Sequence, residues 1–150
     1  MRALLPIAHA AGEVWVAPEG CGALVAAPPG RFPFPPPSPW VELRTMFVQG
    51  LGARVRWAQS FEQLQLRHPS EPHWYLATVG VHPDVRRRGI GGALVAHLLR
   101  RADLDGRATY LETDRAANVP FYEGFGFRVC EESRVLDTPI WHMHRGAGAQ

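Results

Sequence analysis

Polar and apolar positions alternate along residues 13–17, and an apolar run follows at 21–27. Period-two alternation marks a strand with one buried face. Pro18, Glu19 and Gly20 between the runs are turn residues, so the pair predicts a β-hairpin. From 40 to 68 the period becomes helical. Val41, Met46 and Phe47 outline one apolar face. Gly50 and Gly52 interrupt it, and Val55, Ala58, Phe61 and Leu64 resume it until His68, Pro69 and Pro72. This predicts two helices. Trp74–Val81 is rich in aromatic and β-branched residues and predicts a strand. Residues 90–102 predict a helix with Ile90, Leu94 and Leu98 on one side, and Thr109–Thr113 a further strand. A short helix at 119–124 and an antiparallel pair, 127–135 with 140–144, complete the pattern. Strand, helix and strand from 74 to 113 form a βαβ unit, whose two strands must run parallel. Hairpins flank it on both sides, so the predicted fold is α/β with a mixed sheet.

Composition narrows the classes. The chain has 150 residues, 46% apolar and 20% charged, the balance of one globular domain. Seven of the twelve residues at 28–39 are proline, which excludes a helix interior or central strand there. That segment reads as a stiff connector within the domain, or as a ligand for a proline-binding partner. A net charge of +2 is too small to argue for nucleic acid, and the aromatics are not interleaved with basic residues. All sixteen basic residues are arginine, so no lysine base or Schiff base is available. Cys21 and Cys130 lack metal-ligand spacing and read as free thiols in a reducing cytoplasm. No run reaches the ~18 apolar residues of a membrane span. The expectation is a soluble cytoplasmic protein. His142 and His144 share one strand face, but no acidic residue or cysteine is spaced to complete a metal site, and no metal is expected. Arg100 and Arg101 oppose the dipole at a helix C-terminus.

The chemistry concentrates after the third predicted strand. Arg86, Arg87, Arg88, Gly89, Ile90, Gly91 and Gly92 lead from that strand into a helix. Glycines leave backbone N–H groups uncovered there, the helix dipole adds about half a positive charge, and the arginines add full ones. An anion with two linked phosphates fits such a turn. It is not a P-loop, because no Gly-Lys-Ser/Thr follows, and its glycines are not at dinucleotide-fingerprint spacing. A basic turn capping an amphipathic helix would look the same locally.

Following a strand and opening a helix, Arg86-x-x-Gly89-x-Gly91 resembles the acyl-CoA-binding motif of the GNAT acetyltransferase superfamily. The segment 110–127 is similar to that family's second hallmark: Asn118, then Phe121-Tyr122, then a Gly-Phe that closes the short helix. Residues 71–83, with Leu111-Glu112-Thr113, 118–122 and 141–145, are similar to the puromycin N-acetyltransferase-like branch. The resemblance runs in order from about Val14 to Arg145 and is weakest across the prolines.

The resemblance implies the GNAT acyl-CoA N-acyltransferase fold, N-terminally shortened, as one domain over 1–150, with acetyl-CoA as donor. It implies that Val79, Gly80 and Val81 splay from the neighbouring strand at a bulge and pair with the pantetheine arm like an added strand. Arg86, Arg87, Arg88, Gly89, Ile90, Gly91 and Gly92 would hold the pyrophosphate, and Asn118 would bond along the arm. Arg87 stands where the family pattern has a small or polar residue. Tyr122 matches the family's general acid; alternatively it is a core tyrosine among Phe121, Phe125 and Phe127. Glu112 lies within an apolar strand, where burying a carboxylate is costly unless it is paired or used. Some family members place their base there, and a structural hydrogen bond to backbone is the other reading. His73 and His82 flank the third strand as further candidate bases or as surface histidines.

The implied function is acetyl transfer to a primary amine by direct attack in a ternary complex, with a small-molecule acceptor. A CoA-binding sensor or interaction module on the same fold is the alternative. It arises because only twelve residues precede Glu13, where the family has a strand and helices that wall the acceptor site. The short start also leaves apolar surface that a second copy could cover as a homodimer. No nucleic-acid or membrane partner is expected.

Overall fold

Alternating apolar residues place the first hairpin where the pattern predicts it. β1 (Glu13–Val16) and β2 (Gly22–Ala27) pair antiparallel across the turn at Pro18–Gly20. The computed structural model describes residues 12–34 and 51–148. The helix expected over Val41, Met46 and Phe47 and the end of the proline-rich connector lie outside the described residues. After them come α1 (Leu51–Gln65), β3 (Trp74–Val81), α2 (Ile90–Leu104), β4 (Thr109–Thr113), α3 (Val119–Glu123), β5 (Arg128–Val135) and β6 (Thr138–Arg145). The strands form one six-stranded sheet in the order β1-β2-β3-β4-β6-β5. Among the described strands only β3 and β4 run parallel, as the helical crossover between them requires. The fold is therefore the mixed α/β arrangement expected. Among the described residues no helix is long and apolar enough to cross a membrane.

The main core lies between the sheet and α2. Leu94, Val95 and Leu98 recur at helical spacing and pack against Leu24, Leu76 and Leu111 of the sheet. Ile90, the first residue of the expected apolar face, is only partly buried. Arg145 and Asp103 tie the end of β6 to α2 through paired contacts of 2.7 and 3.0 Å. The opposite sheet face is different: strand alternation sends Tyr75, Tyr110, Glu112 and His142 to it.

Helix α1 departs from expectation in two ways. It runs through Gly52, so that residue does not break it; one interior glycine costs about 1 kcal/mol, which the rest of a helix can offset. Val55 is 51% exposed and Ala58 is exposed as well, although the helical period places both on a core-facing stripe. The reason is that α1 meets the sheet at its C-terminal end. Phe61 there lies 6.2 Å from Phe32, and Arg67 just beyond the helix reaches Glu131 of β5 at 3.0 Å.

Two irregularities shape the centre of the sheet. The register of β2 on β3 slips between Val25 and Ala26, which pair with Thr78 and Leu76, leaving Ala77 as an extra residue. On its other edge β3 pairs with β4 only at Trp74↔Thr109 and Tyr75↔Tyr110. Beyond that point the two strands part company, and an opening runs between 76–81 and 111–113.

Candidate active site

One wall of this opening is the free edge of β3. Val79, Gly80 and Val81 pair with β2 on their other edge, at Leu24, Ala23 and Gly22. Their edge toward β4 has no strand beside it, so its backbone groups are available to an extended ligand. At the end of this wall the chain turns at Pro83–Val85 and enters α2. The first backbone bond of α2 runs from Ala93 N–H to the Gly89 carbonyl, at 2.9 Å. The N–H groups from Arg87 to Gly92 meet no backbone acceptor among the described residues. Gly89 holds φ at +80°, a left-handed conformation that glycine adopts freely, and a Cβ there would project into open space. Arg87 also sits at positive φ, 62°. All three arginines are exposed, and Arg86 Nε returns to the Val81 carbonyl at 3.4 Å. A row of uncovered donors at the start of a fifteen-residue helix, beside three guanidinium groups, can hold a pyrophosphate.

The far wall begins with β4. Thr113 Oγ1, at its end, accepts from Asn118 Nδ2 at 3.1 Å, which fixes Asn118 at the rim. Tyr122 follows on α3. Its ring is buried and meets Phe127 and Phe121 edge-on at 5.9 and 5.1 Å. The aromatic packing considered from the sequence is therefore present. Burial pushes the phenol pKa up, so Tyr122 keeps its proton at neutral pH and can act only as an acid there.

Glu112 stands on β4 just past the last residue paired to β3, with its side chain 9% exposed. It sits within a cluster of rings. Tyr75 and Tyr110 flank it, and both phenols are pushed up first by burial and then by the charge and hydrogen bonding of Glu112. Each thus stays protonated at neutral pH. Tyr110 Oη is hydrogen-bonded to His142 Nδ1 at 2.6 Å, and His142 Nε2 to Ser133 Oγ at 2.8 Å. His68 Nδ1 lies 3.8 Å from Glu112 Oε1.

Of the two histidines named as further candidates, His73 joins the cluster. His82 does not: it is exposed, caps the Pro83–Val85 turn through Asp84 N–H at 3.4 Å, and faces the Asp84 carboxylate at 3.6 Å. The motifs do not single out His68, Tyr75, Tyr110 or His142 as partners of Glu112. A signal for the tyrosines and His142 does exist, since β4 alternation puts Tyr110 and Glu112 on one face. His68 lies in a loop, where no periodicity points anywhere.

Burial lowers the pKa of both His73 and His142 from 6.5. The folded chain then binds fewer protons than the unfolded chain at mildly acidic pH. The stability they contribute is complete above about 6.5 and is lost as pH falls below it. Thermal unfolding should therefore give a lower Tm at pH 5.5 than at pH 7.5. In His142→Gln the difference should shrink; an unchanged difference would remove His142 from this account.

Residues 33–127 match the family model described as the acetyltransferase (GNAT) family. The chain belongs to the GNAT acetyltransferase family. This GNAT protein is an N-acetyltransferase of the 2.3.1 class. It is similar to a solved protein of Corynebacterium glutamicum described as histone acetyltransferase HPA2 and related acetyltransferase. The two are 25% identical with a TM-score of 0.67, over 99% of this chain and 75% of that one. A NatC complex bound to Gag peptide and CoA is 15% identical, with a TM-score of 0.53 over 87% of this chain and 64% of that one. Nourseothricin acetyltransferase is 17% identical, with a TM-score of 0.52 over 89% and 63%. The last two share the fold alone. The opening between β3 and β4 of this GNAT domain, and the uncovered N–H groups beside it, offer backbone groups that could bond an extended anionic ligand.

Proposed function

We propose that this GNAT domain moves an acetyl group from acetyl-CoA to the primary amine of a small molecule, by direct attack in a ternary complex. The observation that carries this reading is the opening between β3 and β4. A bare strand edge and uncovered helix N–H groups line one side of it, and a buried carboxylate stands on the other. The pantetheine arm would lie along 79–81, with Asn118 opposite, and the pyrophosphate on the N–H groups of 87–92. A backbone N–H of β3 would polarise the thioester carbonyl. Glu112 would remove a proton from the acceptor ammonium, directly or through a water. The freed nitrogen attacks the carbonyl carbon, the C–S bond breaks, and the Tyr122 phenol protonates the departing sulfur. No cysteine intermediate is needed. Cys130 donates its S–H to the His142 carbonyl at 3.2 Å, burial raises its thiol pKa, and Cys21 lies beside the first turn.

The likeness of 71–83 to the puromycin-modifying branch supports a small acceptor. A panel of small amines and peptides, followed by release of the CoA thiol, tests the class. Acetylation of peptides alone would overturn the small-molecule assignment. Tyr122→Phe keeps the ring in the aromatic packing and removes only the acid. It should lower kcat about 10²-fold and leave the Kd for acetyl-CoA within about twofold. Undiminished turnover would end the acid role.

A further inference from the structure

The cluster around Glu112 contains a polar atom that the reaction above leaves idle. His68 Nδ1 is buried and meets no hydrogen-bond partner among the described residues. It faces Glu112 Oε1 at 3.8 Å, and the two side chains are 8% and 9% exposed. The bonds at the other side of the ring decide which nitrogen carries the proton. His73 Nδ1 lies 2.6 Å from the Glu71 carbonyl oxygen, which can only accept, so His73 is protonated at Nδ1. Burial holds the pKa of His73 below 6.5, so at neutral pH its Nε2 is a bare acceptor. His68 Nε2, 2.9 Å away, must then donate. A neutral His68 therefore has its proton on Nε2 and turns the lone pair of Nδ1 toward the carboxylate.

The ring is held in that orientation. Phe32 stacks on it at 3.8 Å, and Tyr75 and Tyr110 meet it edge-on at 4.9 and 5.0 Å. Two buried acceptors facing each other repel, and a single proton between them attracts both. Nδ1 is shielded from solvent, so its proton partner is Glu112. The other titratable or charged groups around His68 are Tyr110 of β4, His73 and Tyr75 on and before β3, and His142 of β6. The adjacent Arg67 directs its guanidinium to Glu131 instead.

We propose that His68 Nδ1 receives the proton that Glu112 takes from the acceptor ammonium, with His73 fixing the tautomer that leaves Nδ1 bare. The proposal rests on the acetyl-transfer reading above. One N–H bond of the ammonium breaks, and its proton passes to the carboxylate and on to Nδ1. The nitrogen keeps the electron pair that forms the new N–C bond. The C–S pair leaves with sulfur, which takes the Tyr122 proton, and the second proton shed by nitrogen as the amide forms restores the phenol. His68 ends as an imidazolium beside an ionised Glu112, with Nε2–H still on His73. It touches no reacting atom and is a positioning residue that acts through Glu112.

Two measurements on the whole chain test this. Nitrogen-15 NMR of the imidazoles at pH 7.5 should show His68 protonated at Nε2 and bare at Nδ1; a neutral ring protonated at Nδ1 overturns the proposal. This readout needs no turnover, so it separates the tautomer from the acetyl-transfer reading. Failure of every amine in the panel to be acetylated overturns both. In the second measurement His68→Gln keeps an amide donor for His73 but no titrating nitrogen. It should lower kcat about thirtyfold at pH 7, with KM for acetyl-CoA unchanged and the deficit closing toward pH 9, where free amine supplies itself. An equal deficit at every pH marks a purely structural role and overturns the proposal. His73→Gln, a second variant should His68→Gln fold poorly, should show a smaller deficit that closes in the same way; a flat deficit there counts against the proposal too.

Discussion

Glu112→Gln should lower kcat for amine acetylation about 10²–10³-fold at pH 7, within the range that a positioned general base contributes. The substitution changes little else. Glutamine has nearly the volume of glutamate, and its amide oxygen keeps an acceptor beside Tyr75 and Tyr110. What it lacks is the capacity to take a proton. An aliphatic amine with a pKa near 10 is almost wholly ammonium at pH 7, so the variant must wait for the rare free amine. Its deficit should therefore shrink about tenfold for each pH unit up to about 9, while the parent rate levels off. Steady-state kcat measured from pH 6.5 to 9.5 separates this from general damage. A deficit constant with pH would show that Glu112 supports the fold rather than the chemistry.

The second large effect is expected on the donor side. Gly91→Trp should weaken acetyl-CoA binding at least about 10²-fold by calorimetry. A Cβ at position 91 would lie 3.5 Å from Val81 Cγ2, an ordinary contact, so the backbone tolerates a side chain there. An indole, however, must extend past Val81 into the seam between the end of β3 and the start of α2. That seam is where the uncovered N–H groups are exposed. Gly91→Ala should bind acetyl-CoA within about fivefold of the parent, because it adds only the tolerated Cβ. If the tryptophan variant binds normally, the pyrophosphate does not lie on this turn. The two substitutions should also be kinetically distinct: Glu112→Gln acts on kcat, and Gly91→Trp on donor affinity.

Much of this arrangement is legible in the order of residues alone, for specific reasons. β3, α2 and β4 differ sharply in period and in β-branched content, and a helical crossover leaves only a parallel pairing for the two strands. Glu112 is conspicuous because a carboxylate inside Tyr-Leu-x-Thr has to be accounted for. The parting of β3 from β4 after Tyr75 and Tyr110 is not legible in the same way. Both strands continue with good local propensity, and only the bulge at Ala77 and the packing around it show where pairing stops. His68 belongs to the same class: its importance comes from a loop that folds it over β3 and β4. The exposure of Val55 shows the converse, since an apolar stripe read from sequence does not say how much of a helix touches its sheet.

The two rungs that join β3 to β4 give the domain an edge in the middle of its own sheet. Proteins usually guard such edges at the margins, with charges, bulges or short strands, because unpaired backbone invites another chain to add itself. Here the unpaired strip is internal, with β2 on its far edge and β4 across from it. A thread of amide groups set in that slot would close the gap as a seventh ribbon, uniting two three-stranded leaves that otherwise meet only at one end. The substrate would then complete the sheet while it is being consumed.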